Sequence, residues 1–318
     1  MPLHIAFQMD ALEMLNQPLD TTLELARAAH DLGHKLFHYE PEHIHMSIHS
    51  GRADITAAGH DLIYSLGDKN PWSLGAKALR TLSEFDVILM RQDPPFDLAY
   101  ITATHILEQI KDKVRIVNDP VGVRNAPEKL LITHVPQLMP PTLITREREA
   151  IESFRDEHKD IIFKPLHGFA GHGIFHLRPG DDNLPGLIET MSSLNAEPWM
   201  IQKYLPVTEL GDKRIVILNG EPVGLFRRMP AAGDARSNMR VGGRPEKATL
   251  TKRDVEICTT VAPMLRERGL FLVGLDVIGD YLTEINVTSP TGLVVADQLE
   301  GRTGTDRIAD RFWQQLTA

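Results

Sequence analysis

The chain has 318 residues, more than one core usually supports, with 42% hydrophobic and 24% charged residues, a formal net charge of −9 and a single cysteine, Cys258. Two or three globular domains in the cytoplasm are therefore expected, because no apolar run approaches the roughly 18 residues of a membrane span and no internal disulfide can form. The acidic balance argues against a general nucleic-acid binder, yet local cations can still hold an anionic ligand in a closed pocket.

Residues 3–9 read as a first strand rather than a signal peptide, since no basic flank precedes a long apolar segment. Residues 20–33 carry helical spacing at Leu23, Leu25, Ala26 and Ala29, and Gly33 stops the helix. Strands over 35–39, 86–90 and 114–117, with a helix near 98–112, continue the alternation and predict an open, mostly parallel α/β domain over residues 1–122. Ligands of such sheets gather at the carboxyl ends of the strands. Residues 90–97, Met-Arg-Gln-Asp-Pro-Pro-Phe-Asp, occupy such an end. There Arg91 either meets a ligand carboxylate or closes a structural turn through a surface ion pair.

Beyond residue 122 the pattern changes to strands joined by hairpins. Asn219-Gly220 joins 214–218 to 221–228, and Gly279-Asp280 joins 272–278 to 281–287. Residues 230–244 are polar and glycine-rich with little to bury, which predicts a mobile loop, either a closing lid or a plain connector. Helices are expected at 251–268, capped by Thr251, and at about 304–316. The fourteen histidines, among them His30, His34, His38, His43, His45 and His49, scatter over several elements. That scatter favours surface or partly satisfied side chains over a metal site.

Glu284 and Asn286 are two apart on a strand and share a face, and their oxygen donors suit magnesium. Asp276 lies on the partner strand. A two-residue turn at Gly279-Asp280 with regular pairing sets Leu275 opposite Glu284 and turns Asp276 the wrong way, so a metal site requires an odd-length loop or a bulge. Otherwise the acids are a solvated face. Lys129 and Lys164 stand beside apolar segments, where a lysine needs an anionic partner or an exit to water. The glycines of 166–173, directly after Lys164, let backbone N–H groups approach phosphate or simply make a turn. Residues 199–205 read as an apolar strand whose edge suits an adenine.

Taken in order, Glu128-Lys129, Lys164-Pro165 with its glycine loop, Gln202 to Leu205, Gly211-Asp212-Lys213-Arg214, and Asp276 with Glu284-Ile285-Asn286 resemble the ATP-grasp superfamily. More narrowly, residues 90–97, 212–214, 219–222, 271–280 and 282–291 are similar to bacterial glutathione synthetase. His167 and His172 depart from that family's usual glycine loop. The resemblance implies an N-terminal α/β domain followed by an ATP-grasp fold with antiparallel hairpins over 123–318, its lid subdomain at about 123–202. It also implies ligation of γ-glutamylcysteine to glycine with ATP as co-substrate, magnesium as cofactor with manganese as a substitute, and a homo-oligomer.

By the same resemblance, Lys129 and Lys164 neutralise ATP phosphates, and Gln202, Lys203, Tyr204 and Leu205 hold adenine, with Asp212 also on the nucleotide side. Asp276, Glu284 and Asn286 hold the metal. Arg214 serves the transferring phosphoryl group unless it merely pairs with Asp212 at the surface. Arg91, Arg228, Asn286, Ser289 and Thr291 are implied peptide contacts, with Arg236 and Asn238 closing over the site. Two other readings remain open: an ATP-grasp ligase with another acceptor, and a nucleotide-binding regulator without catalysis.

Overall fold

Asp20 caps the first helix by accepting from the Leu23 N–H at 2.9 Å, and the strand–helix alternation that it begins builds the N-terminal sheet. The computed structural model describes residues 1–318 except Leu66, Asp68, Lys69, Phe169, Ala170, Asn195, Gly233, Asp234, Ala235 and the side chain of Arg240. The first sheet contains β1 (His4–Gln8), β2 (Lys35–Tyr39), β3 (Ile44–His49), β4 (Arg52–Tyr64), β5 (Trp72–Thr81), β6 (Val87–Met90) and β7 (Arg115–Val117). Its order is β3-β4-β2-β1-β6-β7, with β5 on β4. The pairs β1–β2, β1–β6 and β6–β7 are parallel, as the alternation predicts. The antiparallel β3, β4 and β5 extend this parallel core at the β2 edge. Helices α1 (Thr21–Asp31), α2 (Leu98–Glu108) and α3 (Pro120–Arg124) complete the unit.

After the short helix α4 (Glu128–Leu131), a second sheet runs β10-β9-β11-β8, from β8 (Thr142–Thr145), β9 (Ile161–Pro165), β10 (Phe175–Leu177) and β11 (Trp199–Lys203). It packs with α5 (Arg148–His158) and α6 (Leu184–Leu194) around its own core of Ile151, Phe163, Ile188 and Trp199. The third sheet follows the one-turn helix α7 (Val207–Leu210). It runs β14-β13-β12-β15-β16, from β12 (Asp212–Leu218), β13 (Glu221–Met229), β14 (Arg244–Lys247), β15 (Leu272–Ile278) and β16 (Tyr281–Asn286). Both hairpins turn on the expected two residues. Asn219 and Gly220 have φ of 48° and 81°, the pair of positive values that a type I′ turn needs, while Gly279 takes 59° at the first turn position.

Helix α8 (Lys252–Glu267) starts at a Thr251–Asp254 capping box and buries Ile257, Val261 and Leu265 in the core shared with Ile215, Leu275 and Ile285 of the third sheet. Helices α9 (Leu293–Glu300) and α10 (Ile308–Thr317) bring the chain back to the first sheet. There the Trp313 indole donates to the Leu25 carbonyl at 2.8 Å. Asn118, just after β7, ties the first and third sheets together. Its amide donates to the Leu272 and Val287 carbonyls and accepts from the Phe271 and Leu272 N–H groups, all within 2.9 Å. A buried amide with every hydrogen bond made fixes one packing of the two units. Among the described residues, no helix is long and apolar enough to cross a membrane.

Candidate active site

The hairpin of β15 and β16 solves the register problem posed by its turn. Ile278 pairs with Tyr281 and Val277 with Leu282, after which a bulge at Thr283 sets Asp276 opposite Glu284 and Gly274 opposite Asn286. The Thr283 hydroxyl donates to the Asp276 carbonyl at 3.0 Å across that bulge. A single extra residue thus rotates Glu284 and Asn286 onto the face that carries Asp276. On β12, Arg214 pairs with Asp276 and Asp212 with Ile278, while Asp212 pairs with Arg228 of β13. Arg214, Asp276 and Glu284 therefore form one row across three strands. The alternate positions Ile215, Leu275, Val277 and Ile285 are fully buried in the core beneath.

Arg214 grips Asp276 through two hydrogen bonds, from Nε at 2.6 Å and Nη2 at 3.1 Å, and donates from Nη1 to the Thr291 carbonyl at 3.1 Å. It is 6% exposed, so it is not the surface partner of Asp212. That partner is Arg228, whose Nη2 lies 2.5 Å from Asp212 and 3.0 Å from Asp276. Burial alone would raise the Asp276 carboxyl, but Arg214 and Arg228 hold it well below the usual carboxylate range. Asp212 goes the other way: burial outweighs Arg228, Asp276 adds repulsion, and the group is pushed up to about 6. Asn286 donates from Nδ2 to Asp276 at 3.1 Å and to the Gly274 carbonyl at 3.2 Å. Its own side-chain oxygen is spent in neither bond.

Lys129 of α4 stands across the row, 3.2 Å from Glu284, and also donates to the Gly168 carbonyl of the glycine loop. Lys164 of β9 is buried. Burial pulls its ammonium down to about 8 against the attraction of Glu284. Lys164 therefore carries full charge below about pH 8 and loses it as the pH rises through that value. The affinity of the free enzyme for a polyphosphate is accordingly expected to be flat between about pH 7, above the Asp212 titration, and pH 8. Above it, affinity should weaken by up to about tenfold per pH unit, read as the KM for the nucleotide across a pH series.

Residues Gln202, Lys203, Tyr204 and Leu205 line the same cleft as Lys129, Lys164, Asp212, Asp276 and Glu284, and Arg236 and Asn238 close its other side. Ser237 is buried with its hydroxyl 2.6 Å from Asp212, and Asn238 lies against Gly171. The described part of the 230–244 loop is thus folded over the cleft, while Gly233, Asp234, Ala235 and the Arg240 side chain lie outside the described residues. So do Phe169 and Ala170 of the glycine loop. The cleft encloses about 110 Å³, below the roughly 300 Å³ at which small-molecule sites begin. A nucleotide would require it to widen. A roomier cleft of about 470 Å³, near Lys111, Arg115 and Arg266, gathers none of the predicted site residues.

Arg91, Ser289 and Thr291 sit apart from the cleft, at the seam with the first sheet. Ser289 donates to the Arg91 carbonyl at 3.1 Å, and Arg91 donates from Nη2 to the Pro290 carbonyl at 3.0 Å. The contacts of two neighbours of the cleft, Glu128 and His176, do not follow from the sequence. Glu128 accepts from the Val287 and Thr288 N–H groups and the Thr288 hydroxyl, which fixes the exit of β16 beside Glu284. Burial, followed by Glu284, pushes its carboxyl up. His176 stacks on Tyr204 with ring centroids 4.0 Å apart and lies 2.6 Å from Asp160, bracing the end of β11.

Two antiparallel sheets enclosing a cleft with paired lysines on one wall and an oxygen-donor row on the other define an ATP-grasp ligase. Solved structures share the fold. The D-cycloserine synthetase DcsG superposes with a TM-score of 0.68 at 14% identity over 98% of each chain. A RiPP-associated ATP-grasp ligase of Chryseobacterium gregarium gives 0.66 at 15% identity, covering 100% of this chain and 97% of the other. The family model for the ATP-grasp domain of prokaryotic glutathione synthetase matches residues 128–301, and that for its N-terminal domain matches 3–124. The glutathione synthetase of Brucella melitensis is 48% identical over 100% of this chain and 99% of its own. That of Mesorhizobium japonicum is 49% identical over 99% and 98%. The chain belongs to the prokaryotic glutathione synthetase family, and it is an ATP-dependent ligase.

Proposed function

We propose that the enzyme joins γ-glutamylcysteine to glycine through an acyl phosphate, giving glutathione, ADP and phosphate. The observation that carries the reading is the bulge at Thr283, which turns Asp276, Glu284 and Asn286 onto one face opposite Lys129. A carboxylate is a poor electrophile, so the cysteinyl carboxylate oxygen first takes the γ-phosphoryl group and ADP leaves. The glycine amine, having lost a proton, then attacks the acyl carbon. The tetrahedral intermediate loses the second proton of its nitrogen and collapses with loss of phosphate. Lys129 and Lys164 offset the charge of the ATP phosphates, and Gln202 to Leu205 hold adenine, braced by the stack of His176 on Tyr204. Arg214 stabilises the charge of the transferring phosphoryl group and of the later oxyanion. Arg228, Asn286, Ser289 and Thr291 serve the peptide.

A divalent cation suits the donor set, since Asp276 is held ionised by its arginines and Asn286 keeps its side-chain oxygen free of these bonds. Magnesium, with manganese as a substitute, would be held by Asp276, Glu284 and Asn286 and would supply further neutralisation of phosphate charge. The division of the chain near residue 122, with a lid over about 123–202, belongs to the same reading and draws support from the separate four-stranded sheet. A cytoplasmic location and a homo-oligomer come with the family and are tested by fractionation and sedimentation.

ADP release is expected to require γ-glutamylcysteine, glycine and magnesium together. Equal turnover with larger amino acids in place of glycine would assign another acceptor, and no ADP release at all would leave a binding protein. Acyl phosphate hydrolyses readily, so a site that excludes water gains yield. Arg236→Ala is expected to raise the ratio of ADP to glutathione by about threefold or more. An unchanged ratio would reduce the 230–244 loop to a connector.

A further inference from the structure

The cleft of about 470 Å³ that gathers none of the site residues lies where segments distant in sequence meet. Lys111, after α2, and Arg115, which opens β7, belong to the first sheet's unit. Arg266, in the last turn of α8, and Asn219, in the turn between β12 and β13, belong to the third sheet's unit. Ile116, Leu270 and Phe271 supply an apolar lining. The cleft shares no lining residue with the catalytic one. Its volume falls within the roughly 300–1,000 Å³ of small-molecule sites.

Both arginines are held in place by neutral acceptors. Arg115 donates from Nη1 to the carbonyl of Leu316, in the last turn of α10, where helix carbonyls lack helical partners. Its guanidinium lies 5.9 Å from the centre of the Phe271 ring. Arg266 donates from Nε to the Asn219 carbonyl at 2.8 Å. It sits so close over the hairpin turn that a Cβ at Gly220 would stand 2.8 Å from that Nε. Glycine there serves the seat of the guanidinium as well as the positive φ of the turn. Among the described residues neither arginine has a carboxylate within ion-pairing distance. Nε and Nη2 of Arg115, and both Nη groups of Arg266, donate to no described residue.

The surrounding charges leave this pair of forks available. Lys111 faces Asp119 at 3.9 Å, and the other oxygen of Asp119 is committed to capping α3 through the Gly122 N–H at 2.8 Å. Lys111, Arg115 and Arg266 against Asp112 and Asp119 give the lining an excess of one positive charge, in a chain of net charge −9. A local cationic cleft on an acidic protein concentrates anions there. Guanidiniums already fixed by other bonds lose little freedom when they bind. Two such forks beside an apolar lining match a small molecule with two acidic groups.

We infer that this cleft is a second ligand site, for a small dianion of the carboxylate or phosphate class, gripped between Arg115 and Arg266 across the seam of the two units. The inference is independent of which substrate the catalytic cleft takes. Its test is isothermal titration of the full chain, without magnesium, using glutathione as the dicarboxylate probe and pyrophosphate as the phosphate probe. At least one is expected to bind with a Kd of about 1 mM or tighter, and the probe that binds tells the two anion sources apart. Arg115→Gln and Arg266→Gln should each weaken that binding by about 10- to 100-fold, because each removes charge-assisted hydrogen bonds. The KM for ATP should stay within about twofold in both variants. Lys129→Gln, in the catalytic cleft, should leave the binding intact. Binding that is lost in Lys129→Gln but kept in both arginine variants belongs to the catalytic cleft and overturns the inference. So does the failure of either probe to bind up to about 10 mM. If an arginine variant does not fold, Lys111→Glu decides, since that side chain is 38% exposed and its ion pair is long. It should weaken binding by about tenfold, and an unchanged Kd there overturns the site.

Discussion

Arg214→Lys is expected to lower kcat by about 100- to 1000-fold while the KM for ATP changes by less than about fivefold. The side chain makes three directed bonds, two to Asp276 and one to the Thr291 carbonyl. Lysine keeps the charge but not the planar fork, so a single nitrogen cannot reproduce the bidentate grip on Asp276 together with the bond to Thr291. Asp276 would not be stranded, because Arg228 lies 3.0 Å away and Asn286 also donates to it. The fold should therefore tolerate the change, with circular dichroism unaltered and the thermal midpoint within a few degrees. The defect should appear in single-turnover formation of ADP as well as in steady state, since phosphoryl transfer itself loses a positioned cation. A variant that binds and turns over normally would make Arg214 a structural partner of Asp276 and nothing more.

The hairpins, the parallel core of the first sheet and the capped helix α8 were legible because each rests on local chemistry. Asn219-Gly220 and Gly279 supply positive φ, and Thr251 with Asp254 closes a capping box. The long antiparallel extension over residues 44–81 was not. Its strands are half exposed, and Ile48, Ile63 and Leu79 lie on the surface, so the alternation that marks a half-buried strand is blurred. The bulge was legible only as a requirement. Pairing register fixes which face Asp276 takes, and no local residue preference announces an extra residue at Thr283. The true partner of each site arginine was also out of reach. Asp212 is two residues from Arg214, yet adjacent rows on β12 send one to Arg228 and the other to Asp276. Glu128 and His176 touch the walls of the cleft through contacts that only the folded chain creates.

Glu284→Gln is expected to cut turnover by about 100-fold or more and to raise the magnesium needed for half-maximal rate, with little loss of stability. The two consequences separate because Glu284 stands among opposed charges. It is 3.2 Å from Lys129, it attracts buried Lys164, and it repels buried Glu128. Removing its charge weakens the hold on two cations and relieves one carboxylate, so the electrostatic changes partly offset one another. Stability then stays near the wild-type value, while a charged oxygen donor is lost. The pH behaviour supplies a second readout with a definite sign. Glu284 opposes the pull of burial on Lys164, so the glutamine variant should lose the Lys164 charge at a lower pH than the wild type's value of about 8. The rise in ATP KM should accordingly begin at lower pH. A variant with wild-type turnover and unchanged magnesium dependence would remove Glu284 from the metal set. A pH limb that does not move would remove it from the environment of Lys164.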